Sequence, residues 1–206
     1  MIKTIAFDMG GVIFNIDTSQ AIRRFQEIGF DQASTYLDAY EQTGIFAQLE
    51  SGLISAEDFR RELSRLCGKE LTMDDCGRGW LGYYVSLPEQ NLPCVQALRA
   101  EGFRTVLLSN TNPFMMDWAR SERFDGHGHG IGTYFDALYL SYEMGVMKPS
   151  PKIFEQVIAA ERLQPQEILF LDDSPHNIAA AAAIGMRTHL VVAGADWTRE
   201  IESLLE

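Results

Sequence analysis

Cysteine is scarce in this chain of 206 residues. There are three, Cys67, Cys76 and Cys94, an odd number with no C-x-x-C spacing. A cysteine zinc site is therefore not expected, and reduced thiols in a cytosolic protein are. Positive charge is also short: 17 Lys and Arg stand against 29 Asp and Glu, a formal net charge of −12. Nucleic-acid and anionic-membrane surfaces need a basic face, so neither partner is expected. No apolar run approaches the roughly 20 residues that span a bilayer. The opening Met1-Ile2-Lys3-Thr4 runs straight into a strand pattern and lacks a signal-peptide layout. Internal repeats and low-complexity tracts are missing. So is the G-x-G-x-x-G turn of a dinucleotide site, because Asp8 stands where its first glycine would be.

What is present is an ordinary apolar fraction of 46%, enough for a sizeable core. Ile2 to Phe7 reads as a strand, and Val12 to Phe14 as strand-like. Residues 16–87 then change character, with helical periodicity over Ser19 to Ile28, Ala33 to Tyr40, Ile45 to Glu50 and Ala56 to Leu66. Ser55-Ala56-Glu57-Asp58 is a helix-start signature. From residue 88 helices alternate with strands at Thr105 to Leu108, Ala137 to Ser141, Ile168 to Leu171 and Thr188 to Val192. That alternation predicts an α/β fold: a doubly wound parallel sheet with helices on both faces. The expected division is a core of residues 1–15 and 88–206 and an inserted helical domain of 16–87.

In such sheets ligands sit outside the carboxyl ends of the strands. Asp8, Ser109-Asn110-Thr111 and Asp172-Asp173 fall there, and Lys148-Pro149 precedes a helix at the same rim. Alone, each reads as a helix cap or a turn. Together they offer carboxylate oxygens suited to Mg²⁺, which takes one or two carboxylates and keeps its remaining positions for water and substrate. A lysine, a serine hydroxyl and nearby backbone N–H groups suit a phosphoryl group. Gly10 and Gly11 would let the backbone approach it closely. A carboxylate can then attack phosphorus, with the cation screening the repulsion.

Four stretches carry a family resemblance: Phe7-Asp8-Met9-Gly10-Gly11-Val12, Leu107-Leu108-Ser109-Asn110, Gly145-Val146-Met147-Lys148-Pro149 and Phe170-Leu171-Asp172-Asp173-Ser174. In this order they resemble the motifs of the haloacid dehalogenase superfamily, and the insert resembles its helical cap. Ile16-Asp17, Gly52-Leu53-Ile54-Ser55 and Leu108-Ser109-Asn110-Thr111-Asn112 look most like its sugar-phosphate phosphatases, the glucose-1-phosphate phosphatases especially. The resemblance implies that Asp8 is a nucleophile forming an aspartyl-phosphate. It implies that Asp8, the Gly10 carbonyl and Asp173 bind Mg²⁺, with Asp172 supporting the ion directly or through water. Ser109 and the Asn110 backbone would hold phosphate oxygens, and Lys148 would neutralise charge on Asp8 and the phosphoryl group. The implied substrate is a small phosphorylated metabolite.

One position departs from the family. Most phosphatases of the superfamily carry a second Asp two residues after the nucleophile, as general acid and base; here it is Gly10. A positioned acid or base contributes about 10²–10⁴-fold. Without one, esters with stable leaving anions should fare best and the phosphoenzyme should accumulate. The sugar-phosphate phosphatases look similar at this position, which keeps an enzyme in favour. Two rivals stand beside this reading: a metal-free 2-haloacid dehalogenase, which also uses an aspartate nucleophile, and a phosphometabolite binder with weakened catalysis. His127 with His129 could chelate a metal, though a surface loop fits them too. His176 could reach the rim or simply start a helix. Trp80, Tyr83 and Tyr84 could stack on a sugar or pack the insert. Asp17 could reach a leaving group or cap a helix.

Overall fold

The structure, a computed structural model, describes residues 1–38, 42–192 and 194–205. Five parallel strands form the main sheet in the order β5-β4-β1-β6-β7. They are β1 (Thr4–Phe7), β4 (Arg104–Ser109), β5 (Ala137–Leu140), β6 (Ile168–Asp172) and β7 (Arg187–Leu190). A two-stranded antiparallel ribbon joins β2 (Asn15–Ile16) to β3 (Tyr84–Ser86). β1 is central, with Phe7 level with Leu107 on one side and Leu171 on the other.

Side chains alternate across a strand, and here the alternation separates two cores. Ile5, Phe7, Leu107, Leu169 and Leu171 pack on one face. Ala6, Val106, Leu108, Ile168 and Phe170 pack on the other. Helices cover both. α6 (Asn91–Ala100), α7 (Pro113–Ala119) and α11 (Ile201–Leu205) supply buried residues to the first, and α9 (Pro151–Glu161) and α10 (Pro175–Ala183) to the second. The short α8 (Ser141–Met144) follows β5 directly.

Between the ribbon strands lie α1 (Thr18–Glu27), α2 (Ala33–Tyr36), α3 (Gly44–Glu50), α4 (Ala56–Cys67) and α5 (Met73–Trp80). This helical cap has its own aromatic centre. Phe46 meets Phe25 and Phe59 edge-on at 5.0 Å, and Trp80 lies 5.3 Å away. Such pairs add about 0.5–1.5 kcal/mol each beyond area burial. No helix among the described residues is long and apolar enough to cross a membrane.

Two readings of the chain need correction, and one helix is added. Val12 to Phe14 is a turn, not a strand. Gly11 has φ +77°, and the N–H groups of Ile13 and Phe14 both donate to the Met9 carbonyl. Asn91 Nδ2 and Trp197 Nε1 clamp the turn through the Val12 carbonyl, so its apolar side chains are buried without a strand. The helix read as Ala33 to Tyr40 leaves helical geometry at Leu37 (ψ 128°), because Gln42 bonds both backbone groups of Asp38 in place of helical partners. Residues 39–41 lie outside the described residues. Apolar periodicity does not predict α5, because Gly77 and Gly79 each cost a helix about 1 kcal/mol. Its capping box, Thr72 with Asp75, and the burial of Cys76 and Trp80 outweigh that cost.

Candidate active site

The carboxyl ends of β1, β4 and β6 open into a cavity of about 100 Å³ beneath the cap. That is well under the roughly 300–1,000 Å³ of pockets for drug-sized ligands, so its occupant is compact. Asp8, Gly10, Ser109, Asn110, Lys148 and Asp173 line it from the core.

Asp8 follows β1 directly. Its Oδ1 accepts the Met9 N–H at 2.7 Å and lies 3.0 Å from Lys148 Nζ, which leaves Oδ2 open. Lys148 is fully buried and spends all three ammonium protons: on Asp8, on Asp172 Oδ2 at 2.6 Å and on the Leu108 carbonyl at 2.9 Å. Asn110 fixes the lysine's backbone, its side chain bonding both Lys148 N–H and Lys148 C=O at 2.8 Å. Asp172 is fully buried, does not line the cavity, and also accepts from Ser174 N–H and Asn177 Nδ2. The two acids after β6 are thus divided. Asp172 grips the lysine, while Asp173, half-buried, faces the cavity.

Burial pushes the Asp8 carboxyl up to about 7; Lys148 opposes the shift, and Asp172 and Asp173 add to it. Burial also lifts Asp173 to about 6, with Asp172 adding and Lys148 opposing. Burial disfavours the Lys148 ammonium, but Asp172 and Asp8 outweigh it and hold its pKa above the usual value.

Oxygens of Asp8, Asp172 and Asp173 lie within 4.8 Å of one another. Three carboxylates against one ammonium leave two negative charges that a divalent cation would balance. The donors are all oxygen, the set that Mg²⁺ prefers. Asp8 Oδ2, Asp173 and the Gly10 carbonyl, which accepts none of the turn's backbone hydrogen bonds, are the open donors. The residues therefore fit Mg²⁺.

Gly11 does not line the cavity; it makes room for Asp173. A Cβ there would stand 2.2 Å from Asp173 Oδ2, at a φ of +77° that L-residues rarely adopt. Gly11→Ala is expected to cost about 1–2 kcal/mol in backbone strain alone. It should also weaken Mg²⁺ binding by displacing Asp173, as a Mg²⁺ titration of the melting temperature would read. At Gly10 a Cβ would meet only the Ile16 side chain, Cγ2 at 3.1 Å and Cδ1 at 3.9 Å.

From the cap the wall holds two residues that motif reading missed, Gln42 and Glu50, and from the loop after β4 it holds Thr111 and Asn112, the end of the Leu108 to Asn112 stretch. Trp80 and Tyr83, weighed as sugar contacts, line it too. Trp80 Nε1, Thr111 Oγ1 and Asn112 Nδ2 are buried without a hydrogen-bond partner among the described residues, and all three belong to cavity-lining residues. Glu50 left one signal in the sequence: it sits at the i+4 position from Phe46, on the apolar face of α3. The other candidates lie elsewhere. Tyr84 packs on Phe14 and Trp118. Asp17 caps α1 through the Gln20 N–H. His176 is exposed at the start of α10, and His129 is tied to Asp125 in a surface loop.

Comparison with known proteins agrees with this geometry. Over its whole length the chain is 44% identical to D-ribitol-5-phosphate phosphatase of Bacteroides thetaiotaomicron, covering 99% of that protein. A structure of a HAD-like hydrolase from Porphyromonas gingivalis superposes with a TM-score of 0.94 at 40% identity, covering all of this chain and 98% of that one. A HAD family enzyme of B. thetaiotaomicron, solved with magnesium and inorganic phosphate, gives 0.86 at 33% identity, covering 97% and 98%. Residues 2–185 match the haloacid dehalogenase-like hydrolase family, and to that family the chain belongs.

Proposed function

We propose that this hydrolase is a cytosolic Mg²⁺-dependent phosphatase of a short phosphorylated polyol or sugar, working through an aspartyl-phosphate on Asp8. One observation carries the reading. A carboxylate oxygen uncommitted to protein donors stands beside a buried lysine and a second open carboxylate, in a compact cavity lined by unpartnered polar groups. A buried donor without a partner costs about 1–3 kcal/mol, which a hydroxyl-rich ligand would recover. Trp80 Nε1, Asn112 Nδ2 and Thr111 Oγ1 supply such groups on the wall, where a polyol chain would lie.

Residues 16–87 act as the cap and residues 1–15 with 88–206 as the core, hinged at the β2–β3 ribbon. Ser109 Oγ, whose only bond among the described residues is a weak 3.3 Å contact to the Asn110 carbonyl, turns to the phosphate with the nearby backbone N–H groups. Lys148 favours the Asp8 carboxylate over its protonated form and aims it. Asp172 holds Lys148, a positioning role in place of direct metal contact. Mg²⁺, when bound, supplies charge that lets an anionic carboxylate approach an anionic phosphoryl group. The three unpaired thiols, Cys67, Cys76 and Cys94, suit a reducing compartment.

The test is phosphate release from polyol, sugar, nucleotide and aryl phosphates, with Mg²⁺, after chelation and with Ca²⁺. Polyol or sugar phosphates should lead. Chelation should abolish turnover, and Ca²⁺ should inhibit because it prefers more ligands in looser geometry. Full activity after exhaustive chelation would favour the metal-free dehalogenase chemistry instead. Nucleotides as the best substrates would contradict the compact cavity.

A further inference from the structure

Gly10 leaves the reaction without a proton donor on the strand that carries the nucleophile. Among the described residues three acids line the cavity: Asp8, Asp173 and Glu50. The first is the nucleophile and the second an open metal donor. None of the four histidines lines it, the Lys148 ammonium is fully engaged, and the Tyr83 hydroxyl donates to Gln42 at 3.1 Å.

Glu50 closes α3 and is 7% exposed. Its backbone is pinned to the core. The Ser141 hydroxyl donates to the Glu50 carbonyl at 2.6 Å and accepts the Thr111 N–H at 3.0 Å. Two residues on, Gly52 adopts φ +71° so closely against the core that a Cβ would lie 2.3 Å from the Tyr142 carbonyl. This junction holds the cap against the loops that end β4 and β5 and carries the Glu50 side chain into the cavity. No described residue hydrogen-bonds its carboxyl with good geometry; Asn112 lies near it, yet Asn112 Nδ2 remains unpartnered.

We propose that Glu50 is the general acid and base of this enzyme, brought by the cap into the role that Gly10 leaves vacant. The proposal rests on the phosphatase reading and adds a residue to it. Burial lifts the Glu50 carboxyl to about 8, with Asn112 opposing and the Asp8 charge adding, so it carries a proton at neutral pH. Of two buried acids in one cavity, only Asp8 has a lysine beside it to favour its anion, which suits Asp8 to the nucleophile's role and Glu50 to the proton donor's.

The steps balance. An Asp8 oxygen attacks phosphorus, the bond from phosphorus to the ester oxygen breaks, and that oxygen keeps the electron pair and takes the Glu50 proton. The alcohol leaves. Water then attacks the aspartyl-phosphate and gives a proton to the Glu50 carboxylate. The bond from phosphorus to the Asp8 oxygen breaks, phosphate departs, and both acids return to their starting states.

Glu50→Gln keeps the shape and removes the proton. With Mg²⁺ present, turnover of the best alkyl phosphate should fall about 10²–10⁴-fold. An aryl phosphate, whose anion leaves unaided, should give a burst of one phenolate per active site and then slow turnover, because water attack has lost its base. Glu50→Asp, which keeps an acid, should fall between wild type and Glu50→Gln on the alkyl ester. Equal losses on both esters without a burst, in a protein that melts like wild type, would reduce Glu50 to a structural part. Unchanged alkyl turnover would also overturn the proposal. A wild-type enzyme that releases no phosphate would sink the phosphatase reading and this role with it, whereas an active wild type with an indifferent Glu50→Gln sinks this role alone.

Discussion

Asp8→Asn should remove turnover by about 10⁴-fold or more, since nothing else at the rim can form the covalent intermediate. The fold should survive. Asn is nearly isosteric, and its amide oxygen can still accept the Met9 N–H that now bonds Oδ1 at 2.7 Å. Stability supplies the control. The folded protein raises the Asp8 carboxyl from 3.8 to about 7, burial being the largest cause. An acid with a raised folded pKa loses its proton more readily when unfolded, so in metal-free protein its contribution to stability declines as pH rises from about 4 to 7. Replacing it with a neutral amide removes that decline. Metal-free Asp8→Asn should therefore melt no lower than wild type at pH 8. Retained phosphatase activity in the folded variant would refute Asp8 as nucleophile. A large loss of melting temperature would mean that Asp8 is chiefly structural.

Lys148→Met should be the costly substitution for stability. It strips the ammonium from Asp172, which is fully buried and keeps only Ser174 N–H and Asn177 Nδ2 as donors. Removing one partner of a buried pair costs about 3–5 kcal/mol, because the other charge is left uncompensated. A urea titration should show it as a lower midpoint, and turnover should collapse as well. Adding Asp172→Asn removes the stranded charge and should restore much of the midpoint. It should restore none of the turnover, because the charge beside Asp8 is still missing. A double variant that regains activity would show that Lys148 serves only to neutralise Asp172. An unshifted midpoint in Lys148→Met would show that the pair does not hold the rim together.

Four of the five strands of the main sheet were legible in the sequence as short apolar runs with a polar residue near the end, and β7 by the apolar Leu190-Val191-Val192 that closes it. Periodicity and strand-end position are local properties, and Asp8, Ser109, Asp172 and Asp173 could be placed on one rim from them. Val12 to Phe14 misled for the same reason. Burial makes a turn and a strand equally apolar, and only the clamps from Asn91 and Trp197, distant in sequence, distinguish them. The adjacent acids Asp172 and Asp173 look alike in the chain, but Asp172, the last residue of β6, turns to the lysine, and Asp173, just beyond the strand, lines the cavity. Gln42 and Glu50 form no motif, since the cavity wall exists only where the cap docks on the core through Ser141 and Gly52. Residue type and spacing along the chain thus determined the α/β order and the phosphate-facing rim. Tertiary docking decided which acids are buried and which donors are left without a partner at the cavity wall, because both depend on neighbours that separate segments of the chain bring together.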